Sequence, residues 1–145
     1  MFNTILVPTD GSALSGKAIR GAIELARLTG GRIVAVAVAE PYPFAPLSQG
    51  DVTPDQNIYE KQTRMYAQLH ADQAADIAAK AGVPCEKHVT MSLSPYEGIL
   101  AAAAEHGCDA IFMASHGRKG LNRLFVGSET QKVLAHTTIP VMVFR

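Results

Sequence analysis

The stretch "RIVAVAVA", residues 32–39, decides the fold, because seven apolar residues follow one another in it without interruption. A short run of this kind, with no alternation of polar residues, is typical of a strand covered on both faces, as in a parallel sheet. The wholly apolar part, residues 33–39, is also far too short to cross a bilayer. We therefore predict a buried strand of a parallel sheet.

Four further segments have strand length, namely "TILVPT" (4–9), "CEKHVT" (85–90), "AIFMAS" (110–115) and "VMVF" (141–144). Three of them are nearly as apolar as residues 32–39, whereas residues 85–90 are more polar and are expected near an edge. These segments alternate with longer ones of helical period. That alternation is typical of a parallel sheet with crossover helices.

Four helices are expected between the strands. The first has apolar residues at helical spacing and ends at "TGG" (29–31), its apolar residues being Ile19, Ala22, Ile23 and Ala26. The second is expected over residues 55–81, before Gly82 and Pro84, and its inner side is predicted to carry Met65, Leu69 and Ile77.

The third and fourth helices have recognisable first turns. In the third, Ser94 is expected to cap and Pro95 to occupy the first helical position, with one apolar stripe made of Tyr96, Ile99, Leu100 and Ala103. Ser128 is expected to begin the fourth helix, with Gln131 completing a capping box.

The expected order is therefore β-α-β-α-β-α-β-α-β in one domain, residues 1–145. Right-handed crossovers place helices on both faces, which makes the fold a doubly wound α/β sheet. Residues 40–54 contain four prolines and are expected to form a long extended loop. Ligands of such sheets bind outside the carboxyl ends of the strands, where the strand order reverses.

Composition excludes several classes of function. Lys plus Arg number 13 and Asp plus Glu number 13, so no net field would attract nucleic acid or an anionic membrane. Residues 1–10 lack the basic and cleavage features of a secretory signal, and we expect a soluble cytoplasmic protein. Cys85 and Cys108 lack CxxC spacing and are expected to be reduced thiols in a core.

Two segments at predicted strand ends carry candidate ligand contacts. In "PTDGS" (8–12), the Asp10 carboxylate can accept hydrogen bonds from a sugar diol or can organise the turn into the first helix. Val38, near the end of the second strand, can offer backbone groups to a base ring or can simply belong to the core.

The stretch "ASHGRKGLNRLFVGSE" (114–129) follows the fourth strand. Its glycines, Gly117, Gly120 and Gly127, permit positive φ and close approach of a ligand to the backbone. Gly127 and Ser128 open a helix whose free amides and dipole favour an anion, beside the basic residues Arg118, Lys119 and Arg123. Phosphate fits best, and the alternative is a flexible loop followed by an ordinary helix cap.

These residues resemble the nucleotide-binding branch of the universal stress protein family, and the resemblance runs the length of the chain. That branch carries Gly-x2-Gly-x9-Gly-Ser/Thr after its fourth strand. Here Ala114 stands in place of the first glycine, and Gly117, Gly127 and Ser128 keep the spacing. The Ala114 methyl group is expected to crowd a ligand that needs close backbone approach.

The resemblance implies strand order 3-2-1-4-5 and an ATP-binding regulatory protein of the stress response, with ATP bound with or without Mg²⁺. It implies that Asp10 contacts ribose and that main-chain groups at Val38 hold adenine. We expect a homodimer through the apolar final strand, which this order leaves at an edge. The expected nucleotide-binding residues are Pro8, Thr9, Asp10, Val38, Ala114, Ser115, His116, Gly117, Arg118, Gly127, Ser128, Glu129 and Thr130.

Two alternatives remain open. Some members of the family bind no nucleotide, which would leave a dimeric stress-response module that acts through protein contacts. A slow ATPase or adenylating enzyme is the second, although the chain lacks a Walker A loop, an SGGxDS-type loop, an HxGH motif and a GxSxG elbow. An acidic cluster typical of receiver domains is also missing.

The histidines give no catalytic or metal motif by spacing. No carboxylate neighbours His116 in sequence to orient it as a base, so we expect it near phosphate through its backbone and predict no catalytic residue. The others are expected to be surface or cap residues, with no metal site, and these are His70, His88, His106 and His136.

Overall fold

The structure is a computed structural model that describes residues 1–43, 54–118 and 125–145. Its strands are β1 (Thr4–Pro8), β2 (Arg32–Ala39), β3 (Cys85–Met91), β4 (Ala110–Ala114) and β5 (Val141–Phe144). Its helices are α1 (Ala13–Thr29), α2 (Pro54–Lys80), α3 (Pro95–Glu105) and α4 (Ser128–His136). The predicted bounds agree with these to within one residue wherever both ends were given. The predicted loop over residues 40–54 lies largely outside the described residues.

The five strands form one parallel sheet in the order β3-β2-β1-β4-β5, which confirms the predicted doubly wound α/β fold. The strand order reverses at β1, whose neighbours are β2 on one side and β4 on the other. As predicted, the polar strand β3 lies at an edge; β5 forms the other edge. The carboxyl ends of β1, β2 and β4 therefore lie side by side, where a ligand of this fold class binds.

Successive residues of the strands point to opposite faces of the sheet, and each face packs against helices to form a hydrophobic core. On one face, Ile5, Val7 and Phe112 pack with the α1 residues Ile19 and Ile23. On the other face, strand residues pack against α3 and α4, and these include Leu6, Val34, Ile111, Ile99 and Val133. The stripes predicted for the first and third helices are confirmed as inward-facing.

The stripe predicted for α2 is wrong. Met65 and Leu69 are exposed to 61% and 48%, and Ile77 is also exposed. The buried face carries only small residues, namely Ala67, Ala71, Ala74 and Ala78. Small side chains let the helix lie close to the sheet, so the periodicity of alanine, not the size of the apolar residues, identifies its inner face.

The starts of α1, α3 and α4 differ in how they are capped. Ser12 caps α1 by accepting from the Ser15 backbone N–H (3.2 Å). Ser94 occupies the N-cap of α3 as predicted, but its side chain makes no capping hydrogen bond there. The predicted capping box at Ser128 is wrong, because the N-cap is Gly127 and the Gln131 side chain donates to the Val126 carbonyl (2.6 Å).

Both cysteines are free thiols, as expected, with Cys108 buried and Cys85 half-buried. Burial raises the pKa of the Cys108 thiol to about 11, so it stays protonated at neutral pH. Among the helices that the structure describes, none is long and apolar enough to cross a membrane.

Candidate functional site

Asp10 links two loops at the carboxyl end of the sheet. Its Oδ1 accepts from the Ser12 backbone N–H (3.0 Å), which closes an Asx turn into α1. Its Oδ2 accepts from the Arg118 backbone N–H (2.8 Å), beyond the end of β4. The carboxylate therefore organises the turn, and it joins residues 8–12 directly to the loop after β4.

Close approach at Gly117 belongs to the same contact. A Cβ atom at this residue would lie 2.9 Å from Asp10 Oδ2, nearer than a carbon atom can sit without displacement. A side chain here would push the carboxylate away from the Arg118 amide. A side chain at residue 117 would therefore weaken the Asp10 contact.

The electrostatics of Asp10 follow from these hydrogen bonds. Burial raises the pKa of the carboxyl, but the hydrogen bonds from Ser12 and from the Arg118 backbone together outweigh it and hold the pKa below its usual range. Asp10 is therefore ionised at neutral pH. A carboxylate has about four lone-pair positions, so two accepted N–H groups leave room for a ligand donor.

We expect Asp10→Asn to lower the free energy of unfolding at pH 7 by about 1–3 kcal/mol. This is the size of the loss expected when hydrogen bonds to a charged acceptor are weakened. Because the folded-state pKa is depressed, this stability is present above about pH 4 and is lost as pH falls through the folded-state pKa. Urea unfolding of wild type and variant at stepped pH measures the difference, which should narrow in acid. A difference that does not change with pH would assign the loss to shape alone.

Beyond β4, the chain closes back on itself at Gly127. Ser115 is buried and its N–H donates to the Phe144 carbonyl (2.8 Å), and its own carbonyl accepts from the Gly127 N–H (2.6 Å). A Cβ atom at Gly127 would lie 3.2 Å from both the Ser115 oxygen and the His116 Cα. Gly127 is thus pressed against the first residues of the same loop.

The glycine conformations differ from the expectation. Gly127 has φ −61°, and Gly117 is not among the described glycines with positive φ. Gly11, in the turn after β1, has φ +74° instead. Close packing, rather than a left-handed backbone, therefore explains Gly117 and Gly127. Gly120, Lys119 and Arg123 lie outside the described residues.

The first turn of α4 combines free amides with structural side chains. The first N–H groups of an α-helix have no partner within the helix. In α4 these are the backbone N–H groups that follow the N-cap Gly127. Thr130 is buried and its hydroxyl donates to the Ala114 carbonyl (2.9 Å). The Glu129 carboxylate accepts from the Tyr96 backbone N–H (2.9 Å), which caps α3, and pairs with Lys132. The side chains of Glu129 and Thr130 therefore tie this turn to α3 and β4.

The remaining predicted residues lie around the same edge. Pro8 ends β1, and the buried Thr9 side chain contacts Ser15 Oγ (3.3 Å) within the turn. Val38 lies one residue before the end of β2. The Val36 carbonyl accepts from the Thr9 N–H, so by alternation the main-chain groups of Val38 are directed to the same side, beyond the end of β1. His116 Nδ1 lies 3.1 Å from Ser115 Oγ.

Ala114 ends β4, and alternation along the strand fixes its direction. Ala110 and Phe112 belong to the core beneath α1, whereas Ile111 and Met113 belong to the core beneath α3 and α4. Ala114 therefore falls on the α1 face. Its methyl group is directed away from the face that carries α4.

His70, on α2, lies beside the site, although no sequence pattern indicated this. A Cβ atom at Gly11 would overlap the His70 ring and would lie 3.1 Å from Arg118 Nη2. Burial lowers the pKa of His70, and the Arg118 guanidinium lowers it further. An open cavity of about 270 Å³ begins here and runs between α1 and α2, lined by residues that include Ser12, Ser15 and Ile77.

Two of the histidines that were expected to be surface or cap residues are in contact; His106 is the C-cap of α3. His88 Nδ1 on β3 lies 2.9 Å from His106 Nε2 at the end of α3. They stand 18 residues apart in the chain, in no recognised metal spacing, so only the fold brings them together. This cluster is separate from the candidate site at the carboxyl ends of β1, β2 and β4.

Comparisons with known proteins agree with this architecture. The model of the universal stress protein family matches residues 1–145. A universal stress protein of Thermus aquaticus, encoded in the 3′ region of a QAH/OAS sulfhydrylase, is 32% identical over all of both chains. Universal stress protein UspA of Lactobacillus plantarum superposes with a TM-score of 0.85 at 22% identity, over 99% of this chain and 98% of its own.

Two structures with similar folds were solved with nucleotides. One is a universal stress protein in complex with cAMP, with a TM-score of 0.71 at 20% identity over 99% of this chain and 97% of its own. The other, from Archaeoglobus fulgidus, is in complex with dAMP, with a TM-score of 0.65 at 24% identity over 98% and 97%.

Proposed function

Because the chain belongs to the universal stress protein family, we propose that it binds an adenine nucleotide, ATP with or without Mg²⁺, as a regulatory ligand in the stress response. The nucleotide is held and is not consumed. The adenine nucleotides in two proteins of similar fold support this ligand class. The cytoplasm is the compartment in which such a protein would meet ATP.

One observation carries the proposal, namely the Asp10 carboxylate accepting from the Arg118 backbone at 2.8 Å. It joins the loop after β1 to the loop after β4, and Gly127 packs on the latter. The ionised Asp10, the backbone at the glycines Gly117 and Gly127, and the N-terminus of α4 thus lie together where the strand order reverses. Such an arrangement suits a ligand with a diol at one end and phosphate at the other.

We assign each part of the nucleotide to residues of this edge. Ribose hydroxyls would donate to the remaining lone pairs of Asp10. Main-chain groups at Val38 would hold adenine. The phosphates would lie between Gly117 and the first amides of α4, with the Arg118 guanidinium adding positive charge.

A module without nucleotide remains the second candidate, and the same carboxylate favours it. Both Asp10 oxygens already accept protein N–H groups, so the turn is complete without a ligand. Mass spectrometry of small molecules released from the purified, denatured protein distinguishes the two candidates, together with melting temperatures in ATP, ADP and GTP. We expect adenine nucleotides to raise the melting temperature and GTP to raise it less. Equal shifts with GTP would argue against recognition of adenine.

We predict that bound ATP turns over slowly or not at all. His116 contacts Ser115, and among the described residues of this edge no carboxylate is positioned to activate it. Positioning alone would have to supply any acceleration. Release of phosphate from labelled ATP should stay far below about 10 per second, the median for enzymes. Sustained turnover near that rate would show that a general base had been missed.

We also propose that the chain forms a homodimer through β5. This strand is an edge of the sheet, and Met142 is 48% exposed on it. An unpaired apolar edge favours association. Pairing with a twofold-related copy would satisfy the free backbone groups of both strands.

A further inference from the structure

His88 and His106 meet between the edge strand β3 and the end of α3. Lys87 points toward α2, where it pairs with Asp72 at 2.7 Å. Because side chains alternate along a strand, His88 points to the opposite face, toward α3. His106 follows the last residue of α3, Glu105. Two imidazoles and a carboxylate are therefore brought to one place from two elements.

The distances suit a shared ion. His88 Nδ1 and His106 Nε2 are 2.9 Å apart, and the rings are nearly perpendicular, at 82°. One ligand atom from each of His88, Glu105 and His106 lies within 4.8 Å of the others. Ligand atoms of a tetrahedral Zn²⁺ are about 3.3 Å apart at bond lengths of about 2.0–2.1 Å. For an ion to replace their hydrogen bond, the two nitrogens would separate by a few tenths of an ångström and both rings would turn toward a common point. The exposed Glu105 carboxylate, whose ligand atom lies within 4.8 Å of the two nitrogens, would close in on the ion by side-chain rotation.

We propose that His88, Glu105 and His106 bind a divalent transition-metal ion of the Zn²⁺ class. Two imidazoles with one carboxylate form a known zinc ligand set, which leaves a fourth position for water. Glu105 is exposed, so an ion can reach the site from solvent. The ion would fix the edge strand β3 to α3.

The surroundings orient His106 for this role. Its Nδ1 lies 3.2 Å from Glu86 Oε1, and Glu86 Oε2 pairs with Arg32 at 2.8 Å. Arg32 also donates to the His106 carbonyl (3.1 Å). A carboxylate on the far nitrogen of a metal-binding histidine fixes the tautomer and the orientation of the ring. Glu86 leaves Nε2 of His106 available to the ion, and it offsets the charge of Arg32.

This site is separate from the nucleotide edge. His106 lies near the amino ends of the strands, since Asp109, three residues on, donates from its N–H to the Thr4 carbonyl at the start of β1. The candidate nucleotide loops follow the carboxyl ends. Metal binding at His88 and His106 can therefore be tested, and can fail, without bearing on the nucleotide.

The test is titration of untagged, chelator-treated protein with Zn²⁺, and with Co²⁺ as a spectroscopic probe. We expect one Zn²⁺ per chain at micromolar concentration and the visible absorption of four-coordinate Co²⁺. His88→Gln and Glu105→Gln should each weaken binding at least tenfold. Glu86→Gln, which removes the orienting carboxylate, should weaken it by about 10-fold to 100-fold.

His136→Gln is the matched control, because His136 is an exposed histidine on α4 that does not belong to the His88–Glu105–His106 cluster. Its ring hydrogen-bonds to the Lys132 carbonyl and packs on Tyr96, at 5.1 Å between ring centroids. The variant should bind Zn²⁺ as wild type does. Glu105 is exposed, so Glu105→Gln keeps the test valid if a His88 variant fails to fold. No binding at micromolar Zn²⁺, wild-type binding by His88→Gln or Glu105→Gln, or lost binding in His136→Gln would each overturn the proposal.

Discussion

Gly127→Val is expected to weaken ATP binding by at least about 100-fold, or roughly 2.8 kcal/mol. A Cβ atom at this residue would already lie 3.2 Å from the Ser115 oxygen and the His116 Cα, and the valine methyl groups add further bulk. The loop after β4 would have to move away from α4. That movement would separate Gly117 from the amides that are proposed to hold phosphate.

Ala114→Gly is the matched control, since it changes the size of a residue at the same strand end in the opposite direction. The Ala114 side chain falls on the α1 face, and we expect equal or tighter ATP binding by this variant. Calorimetry with ATP measures both affinities, and melting temperatures show whether each variant folds. A folded Gly127→Val protein with wild-type affinity would contradict the assigned phosphate position, and weaker binding by Ala114→Gly would contradict our account of that residue.

Val143→Pro is expected to convert the dimer to monomer. The Pro140 and Phe144 carbonyls accept from Ile111 and Ser115 on the β4 side. Because backbone groups alternate in direction along a strand, the N–H and carbonyl groups of Val141 and Val143 face the free edge. Proline at Val143 therefore removes a donor from the proposed dimer ladder and none from the ladder with β4.

Light scattering on wild type should give about twice the mass of one chain, and Val143→Pro should give about one chain mass. Val143→Ala retains the backbone donor and should remain dimeric, although a smaller side chain weakens the contact. A wild-type monomer at micromolar concentration would refute the pairing. A folded Val143→Pro dimer would place the interface elsewhere.

The fold was predictable from the sequence because its signals are local and regular. The apolar run 32–39 predicted a strand covered on both faces, and the polarity of β3 predicted a place near an edge, whereas the full strand order came only from the family resemblance. The error in α2 has a physical cause, since Met65 and Leu69 are larger than the alanines that pack against the sheet. Helical periodicity fits both the predicted stripe of large residues and the observed stripe of alanines. Because α2 packs on the sheet, the stripe with the smaller side chains faces inward.

The site was predictable in position but less so in its contacts. The sequence placed Asp10 and the loop after β4 at one edge, and the structure joins them through the Arg118 amide. Glu129 caps α3 through Tyr96, 33 residues away in the sequence, and no local pattern indicated that His70 lies over Gly11. Contacts between residues so far apart in the sequence depend on how the helices and strands pack. Local sequence patterns do not encode that packing.

Calorimetric titration of nucleotide-free wild-type protein with MgATP tests the central claim most directly. We expect saturable heat with one site per chain, and loss of that heat in Gly127→Val. Folded protein that gives no heat and no thermal shift at millimolar MgATP would contradict the claim, and it would leave the Asp10 contact as a structural turn.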